Sequence, residues 1–123
     1  MQVQFPEYLQ RFSNKTGVEG ELAQRQKNAV YQNGIFESPD ENDKFSLYYE
    51  LYGQGPVKII FIQGFGGDMD LYRRILIPML EHPEIQICLY NNRGIYPSTT
   101  DKRNSMTIAM MAHDAYLLIR QTQ

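Results

Sequence analysis

The segment that decides the fold is VKIIFIQGFGGD, residues 57–68, in which an apolar run leads into a glycine-rich turn. An apolar run of this length bounded by glycines is typical of a strand covered on both faces, as in a parallel sheet under helices. Asp68 follows the turn and is a suitable helix N-cap. We expect an amphipathic helix next, kinked or ended by Pro78. Its apolar stripe comprises Leu71, Tyr72, Ile75, Leu76 and Met79.

The rest of the chain completes an α/β pattern around this segment. The apolar residues 85–90 predict a second internal strand, so the two strands and the intervening helix form a β-α-β unit with parallel strands. Residues 45–52 alternate with a period of two, which predicts a strand with one face more buried than the other. Asn33-Gly34 is a turn signal, so residues 29–36 are expected to form a small hairpin or a strand that ends there. A surface turn is expected at residues 38–43.

The C-terminal segment predicts one more amphipathic helix, which is expected to begin near Asn104 or Ser105. Its apolar stripe comprises Ile108, Met111, Ala112, Ala115, Leu118 and Ile119.

Composition excludes several classes of protein. A chain of 123 residues is the length of one domain, and a net charge of −2 argues against nucleic-acid binding, which needs a basic face. The single cysteine excludes an internal disulfide. No apolar run approaches the roughly 20 residues of a membrane helix, so we expect no membrane association and a cytoplasmic location. Residues 1–28 are expected to form a polar arm, and residues 29–123 the folded domain.

Three motifs resemble, in order and spacing, the N-terminal half of an α/β-hydrolase fold protein of the esterase, epoxide hydrolase and aminopeptidase-like branch. QGFGG (63–67) resembles the family's oxyanion loop, often His-Gly-x-Gly-Gly. NNRGIYPS (91–98) resembles Asp-x-Arg-Gly-x-Gly-x-Ser, and MAHD (111–114) resembles the Met-Ala-x-Asp helix that follows. With strands numbered β1 (29–36), β2 (45–52), β3 (57–62) and β4 (85–90), the resemblance implies a partial hydrolase sheet of order β1-β2-β4-β3 with flanking helices.

The resemblance also implies roles for individual residues. Gly64, Phe65, Gly66 and Gly67 would form the oxyanion-hole loop, with the Phe65 backbone N–H as one of its two donors. Asn91, Arg93, Gly94 and Ser98 would form the structural motif after the second internal strand. Gln63, Asn91 and Tyr96 depart from the family, which often has His, Asp and Gly at these positions. A glycine in a turn often adopts φ values that a bulky residue disfavours. Because Tyr96 replaces such a glycine, the loop is not expected to follow the family's path in detail.

The resemblance implies that the full-length relative hydrolyses an ester, amide or related bond through a serine-type nucleophile. That nucleophile lies in a G-x-S-x-G elbow, and no two glycines of this chain are four positions apart. We therefore expect a truncated hydrolase-like chain without nucleophile, acid or histidine, inactive alone and without a cofactor. A small-molecule substrate is expected only in a full-length form.

Other candidate catalytic residues have simpler interpretations. Ser98 matches a structural serine of the family motif, and His82 is expected to be solvated. His113 and Asp114 are adjacent on a helix and therefore do not face each other as a base and acid pair. Cys88 lies in an apolar strand and is expected to be a small buried hydrophobe. Two isolated histidines and one cysteine provide no metal-ligand cluster.

Two further interpretations of the apolar strand and its turn remain open. Gly64-x-Gly66 could begin a dinucleotide-binding fingerprint, but position 69 is Met69 instead of glycine, and Asp68 and Asp70 would repel a pyrophosphate. Alternatively, the strand from Val57 to Ile62 lacks a partner along one edge, and an open apolar edge invites pairing with another chain. The chain would then be a non-catalytic interaction module that self-associates or recruits a partner strand.

Overall fold

The computed structural model describes residues 30–64, 66–76, 79 and 81–122. The predicted N-terminal arm, residues 1–28, lies outside these described residues, as do Phe65 and Pro78. The elements are β1 (Val30–Glu37), β2 (Phe45–Tyr52), β3 (Val57–Ile60), α1 (Met69–Leu76), β4 (Ile85–Tyr90), β5 (Thr99–Thr100) and α2 (Ile108–Thr122).

The strands form one mixed sheet with the predicted order β1-β2-β4-β3. β2 is antiparallel to both β1 and β4, whereas β3 and β4 are parallel and are connected through α1. The predicted α/β class, the sheet order and the β-α-β unit are therefore confirmed. The short strand β5, which was not predicted, pairs with the start of β2.

The turn signal at Asn33-Gly34 produces no turn. β1 continues through it, with Asn33 opposite Glu50 and Gly34 opposite Tyr49. A Cβ atom at Gly34 would lie 2.8 Å from the Tyr49 hydroxyl oxygen. The absence of a side chain at Gly34 therefore leaves space for the end of the Tyr49 side chain. Pairing along β2 thus overrides the local turn preference. The predicted surface turn follows instead, and in it the Ser38 hydroxyl donates to the Asp43 carbonyl oxygen at 2.7 Å.

The strand β2 is buried on both faces, whereas the sequence predicts one face to be more buried. One set of alternating side chains packs with Ala115 and Leu118 of α2, and the other set packs with Met69 and Leu76 of α1. The predicted alternation is present, but it separates two buried faces because the helices cover both sides of this central strand. The first set is Phe45, Leu47, Tyr49 and Leu51, and the second includes Tyr48 and Tyr52.

The strand β3 is shorter and more exposed than predicted. It ends at Ile60 instead of Ile62, and Val57 and Ile62 are 50% and 66% exposed. The reason is its position at one end of the sheet, where β4 is its only partner among the described strands. The expectation of a strand covered on both faces is therefore wrong for the chain as described, and the expected open edge is present.

The helix α1 begins where predicted, because the Asp68 carboxylate accepts a hydrogen bond from the Asp70 backbone N–H at 2.9 Å as an N-cap. Its buried side is rotated from the predicted stripe. Met69, Arg73 and Leu76 are buried, whereas Ile75 is 57% exposed. Arg73 takes an inward position because it pairs with a buried glutamate of β2, described below.

The helix α2 begins later than predicted, at Ile108 instead of Asn104 or Ser105. The Thr107 hydroxyl oxygen accepts a hydrogen bond from the Met110 backbone N–H at 3.1 Å, so Thr107 is the N-cap. Ile108, expected on the buried stripe, is 82% exposed because it occupies the first turn, beyond the sheet contact made by Ala115 and Leu118.

The Thr107 cap provides a test of this boundary. Thr107→Ala is expected to lower the free energy of unfolding by about 1 kcal/mol, because it removes the acceptor of a first-turn N–H. Ser105→Ala, at the boundary predicted from sequence, is the control and should be neutral. Urea denaturation followed by circular dichroism measures both, and the reverse ranking would contradict the Thr107 cap.

Candidate functional site

The candidate site lies at the carboxyl ends of the parallel strands β3 and β4, where the loops 63–68 and 91–98 meet. Gln63 is 3% exposed, and its side-chain Nε2 donates to the Tyr90 carbonyl oxygen at 2.6 Å. Asn92 Nδ2 donates to the Gln63 carbonyl oxygen at 3.4 Å. Gln63 thus joins the ends of β3 and β4. Its Oε1 atom is buried and accepts no hydrogen bond from the described residues.

The glycine loop after β3 makes a tight turn. The Gly67 backbone N–H donates to the Gly64 carbonyl oxygen at 3.1 Å. Gly66 has a φ of +78°, which a residue with a side chain rarely adopts. Among the described residues, no atom lies within 4 Å of the position that a Cβ atom would take at Gly64 or Gly66. Phe65, the predicted N–H donor, lies outside the described residues.

Asn91 connects this glycine loop to the loop after β4. Its Oδ1 accepts from the Met69 backbone N–H, the first of α1, at 2.8 Å, and its Nδ2 donates to the Tyr96 carbonyl oxygen at 2.9 Å. A carboxylate could make the first contact but could not donate the second. The amide therefore suits the path that this loop takes around the exposed Tyr96.

Ser98 is buried, and its hydroxyl is occupied by backbone groups. Its Oγ accepts from the Tyr48 N–H at 2.9 Å and donates to the Asn91 carbonyl oxygen at 2.7 Å. Both histidines are exposed: His82 pairs with Glu84 at 3.6 Å, and the His113 ring stacks on Tyr116. Among the described contacts, none provides a base for Ser98.

Arg93 connects the loop after β4 to two other parts of the chain. It is 1% exposed, donates to both Asp114 oxygens at 2.7 and 2.6 Å, and donates to both Asp43 oxygens at 2.8 and 3.1 Å. Its guanidinium also lies 4.1 Å from the centre of the Phe45 ring. The motif residue Arg93 and the helix residue Asp114 are thus brought together. Asp43 was missed, because nothing in its surface turn marks it as a partner.

These contacts shift the pKa values of the three groups. Hydrogen bonding by Arg93 lowers the pKa of Asp43, and the two carboxylates raise the pKa of Arg93. Burial raises the pKa of Asp114, and the hydrogen bonds from Arg93 oppose that rise. The carboxylates hold Arg93 charged, and its two bidentate contacts fix the loop in one geometry.

A second buried ion pair, which no sequence motif indicated, lies between the sheet and α1. Glu50 is fully buried, and Arg73, 2% exposed, contacts it through Nε at 3.0 Å and through Nη2. Arg73 Nη1 contacts Asp70, and the Tyr52 hydroxyl donates to Glu50 at 3.2 Å. Burial raises the pKa of Glu50 to about 8 and lowers that of Arg73 to about 9. The sequence held one signal of this pair: Glu50 is the one charged residue among the aromatic and aliphatic residues of β2.

Cys88 and a metal-ligand cluster are the remaining possibilities considered from the sequence. Cys88 is buried, as expected from its place in an apolar strand, and burial raises the pKa of its thiol to about 12. Within the described residues, no group of three or more His, Cys, Asp or Glu could hold a metal ion. No described helix is long and apolar enough to cross a membrane.

A hollow of about 180 Å³ lies beside β3, and we call it the edge hollow. It lies against the α2 side of the sheet, and its lining includes Leu51, Lys58, Ile60, Gln86, Cys88 and Ile119.

Comparison of the chain with protein-family models, with curated proteins and with solved structures gave no match in any of the three. Any function proposed for the chain therefore depends on its motifs and on the geometry of the two loops.

The contacts of Ser98 predict the effect of removing its hydroxyl. Ser98→Ala leaves the buried Tyr48 N–H and one acceptor without a partner, so we expect the free energy of unfolding to fall by about 1–3 kcal/mol. Ser105→Ala, at an exposed serine, is the matched control. Urea denaturation measures both variants, and a neutral Ser98→Ala would show that the hydroxyl does not stabilise this loop.

Proposed function

We propose that this chain forms the N-terminal portion of an α/β-hydrolase-type catalytic domain that hydrolyses an ester, amide or related bond through a serine-type nucleophile. The pairing of Arg93 with Asp114 is the observation that carries the proposal. It joins the NNRGIYPS loop to the MAHD helix, two of the three motifs that resemble the family. The sheet order β1-β2-β4-β3 and the glycine loop after β3 support the same assignment.

In this proposal the glycine loop stabilises negative charge on the substrate. As the resemblance implies, the Phe65 backbone N–H would donate to the oxygen of the tetrahedral intermediate, and one such donor is worth roughly 3–4 kcal/mol of transition-state stabilisation. The nucleophile, acid and histidine would come from polypeptide outside these 123 residues. The chain alone is accordingly expected to be inactive, and the proposed reaction uses no cofactor.

A fluorophosphonate probe, which labels activated serines, tests this proposal in two arms. The purified 123-residue chain should remain unlabelled. The native protein captured by an antibody raised against the chain should be labelled and heavier than 14.4 kDa. Labelling of the purified chain that Ser98→Ala abolishes would contradict the structural role of Ser98. An unlabelled native protein of 14.4 kDa would contradict the hydrolase proposal.

A second candidate function is strand recruitment at the open edge of β3, and the exposed apolar side chains there favour it. Val57 and Ile62 are half or more exposed at the end of the sheet. Ile60→Lys should then abolish self-association or partner binding, measured by light scattering and analytical ultracentrifugation. Ile35→Lys, on the strand at the opposite end of the sheet, is the matched control because Ile35 is 58% exposed. Complex formation that survives Ile60→Lys would eliminate this function.

A further inference from the structure

We infer that Asn33-Gly34 is a deamidation site that the folded chain protects, and that the aspartate or isoaspartate formed there opposes the pairing of β1 with β2. The chain contains no other asparagine followed by glycine. This dipeptide favours a turn, but the structure holds it inside β1 (Val30–Glu37). Only the first two strands of the sheet are involved, so the site is independent of the hydrolase proposal.

The reaction uses the backbone nitrogen of Gly34 as its nucleophile. This nitrogen attacks the side-chain carbonyl carbon of Asn33, the new C–N bond closes a five-membered succinimide, and the side-chain nitrogen leaves as ammonia with the proton of the Gly34 N–H. Water then opens the ring at either carbonyl carbon. The products are aspartate and isoaspartate, and in isoaspartate the main chain runs through the former side-chain carbonyl carbon. Glycine permits the attack because no side chain shields its nitrogen.

Strand geometry keeps the two reacting atoms apart in the folded chain. Ring closure needs the backbone to bend at Asn33, whereas the pairing of Asn33 with Glu50 and of Gly34 with Tyr49 holds both residues extended. The Tyr49 hydroxyl oxygen, 2.8 Å from the position of a Cβ atom at Gly34, packs against the glycine. In the unfolded chain both constraints are absent, and the turn preference of Asn-Gly favours the bent backbone. The reaction therefore proceeds from chains in which β1 is open.

The surroundings of Asn33 suit an amide and oppose a carboxylate. Glu50 lies directly opposite Asn33 and is fully buried. Burial and Glu50 raise the pKa of the Tyr48 hydroxyl and the Asn33 side chain opposes that rise, so these groups lie close together. The nearby cation, Arg73, already contacts two carboxylates, those of Glu50 and Asp70. Since like charges directly opposite in adjacent strands are destabilising, an aspartate formed from Asn33 weakens the pairing of β1 with β2.

Isoaspartate opposes the pairing in a different way, because it lengthens the main chain by one carbon atom. Residues 32–37 of β1 pair without interruption with residues 46–51 of β2. An extra backbone atom inside such a run shifts the later side chains relative to their partners. Among the described strands, β2 is the only neighbour of β1, so the sheet holds β1 from one side. Either product therefore favours the open form of β1.

The rates of deamidation of the folded and the unfolded chain test the protected site. The full chain is incubated at neutral pH in buffer and in guanidinium chloride. Isoaspartate is located by peptide mass spectrometry and quantified by methyl transfer with a protein isoaspartate methyltransferase. We expect Asn33 to react at least about tenfold faster in guanidinium chloride, since fewer than about one folded chain in ten has β1 open. Asn104, exposed and followed by serine, is the internal control and should show little difference between the two solutions.

Two results of this experiment would overturn the inference. Equal rates at Asn33 in the two solutions would show that β1 gives no protection. A rate in guanidinium chloride no higher than that of Asn104 would show that Asn33 is not a preferred site. Gly34→Ala, measured only in guanidinium chloride where folding has no influence, should slow the reaction at Asn33 severalfold.

Refolding tests the consequence of the modification. After partial deamidation the guanidinium chloride is removed, and the folded fraction is separated by size-exclusion chromatography. Chains modified at Asn33 should be depleted from this fraction relative to chains modified at Asn104. Asn33→Asp should lower the folding equilibrium constant by about two- to fivefold or more, whereas Asn104→Asp, the same change at an exposed position, should not. Equal shares of both modified chains in the folded fraction, or equal stability of the two variants, would overturn the inference.

Discussion

Arg93→Met is expected to lower the free energy of unfolding by about 3–5 kcal/mol, because it removes one partner of a buried ion pair and leaves the other in place. Asp114 is 1% exposed and receives two hydrogen bonds from Arg93. Methionine retains part of the apolar contact with the Phe45 ring but provides no donor for either aspartate. Urea denaturation followed by circular dichroism measures the loss.

Two controls isolate the buried pair. Arg103→Met changes an exposed arginine in the connection before α2, and such surface changes stay within about 0.5 kcal/mol. Arg93→Met combined with Asp114→Leu should recover part of the loss, since no buried carboxylate is then left without a partner. If Arg93→Met leaves too little folded protein to measure, Asp43→Asn tests the more exposed arm of the same network. A loss below about 1 kcal/mol for Arg93→Met would contradict the proposed importance of this pair.

The order of the main elements was predictable because each produces a local signal. The period of two in β2, the apolar run of β4 and the Asp68 cap are properties of neighbouring residues. Asn33-Gly34 misled because its turn preference is local, whereas pairing along the whole of β2 decides the path of β1. The start of α2 depends on which hydroxyl accepts a hydrogen bond from a first-turn N–H. Since serine and threonine are both suitable N-caps, the sequence does not decide between Ser105 and Thr107.

The candidate site was predictable in its loops but not in its charged partners. The glycine loop and the residues around Arg93 follow from motifs at fixed spacing. Asp43 is 50 positions from Arg93, and Glu50 is 23 positions from Arg73. Contacts at such separations arise only when the sheet is assembled. Hydrophobic periodicity also assigns arginine to the solvent side of a helix, so it could not place Arg73 in the interior.

The two buried arginines hold the two helices to opposite faces of the sheet. Arg93 connects the loop after β4 to Asp114 of α2, and Arg73 of α1 reaches Glu50 of β2. Each ion pair is therefore placed beside one of the two loops of the candidate site. The glycine loop leads directly into α1, so the Glu50–Arg73 pair is expected to hold the helix that this loop precedes.

Arg73→Met is accordingly expected to lower the free energy of unfolding by about 3–5 kcal/mol, and the free energy of unfolding of the variant is expected to be lower at pH 8 than at pH 5. Glu50 remains fully buried in the variant without the guanidinium, and its folded pKa, already about 8 in the native chain, lies above the unfolded value of about 4.3. Between these two values the folded state holds a proton that the unfolded state has lost. Stability therefore falls as pH rises through this window, by at most about 1.4 kcal/mol per pH unit.

The double variant Glu50→Gln with Arg73→Met separates charge from packing in this prediction. Glutamine keeps the shape and hydrogen-bonding capacity of a protonated glutamate but does not titrate, so the free energy of unfolding of the double variant should fall less between pH 5 and pH 8 than that of Arg73→Met. Urea denaturation at both pH values measures it, with Arg103→Met as the exposed arginine control. If the free energy of unfolding of Arg73→Met falls no more between pH 5 and pH 8 than that of the double variant, Glu50 does not carry the effect. The helix α1 would then be held mainly by the apolar contacts of Met69 and Leu76.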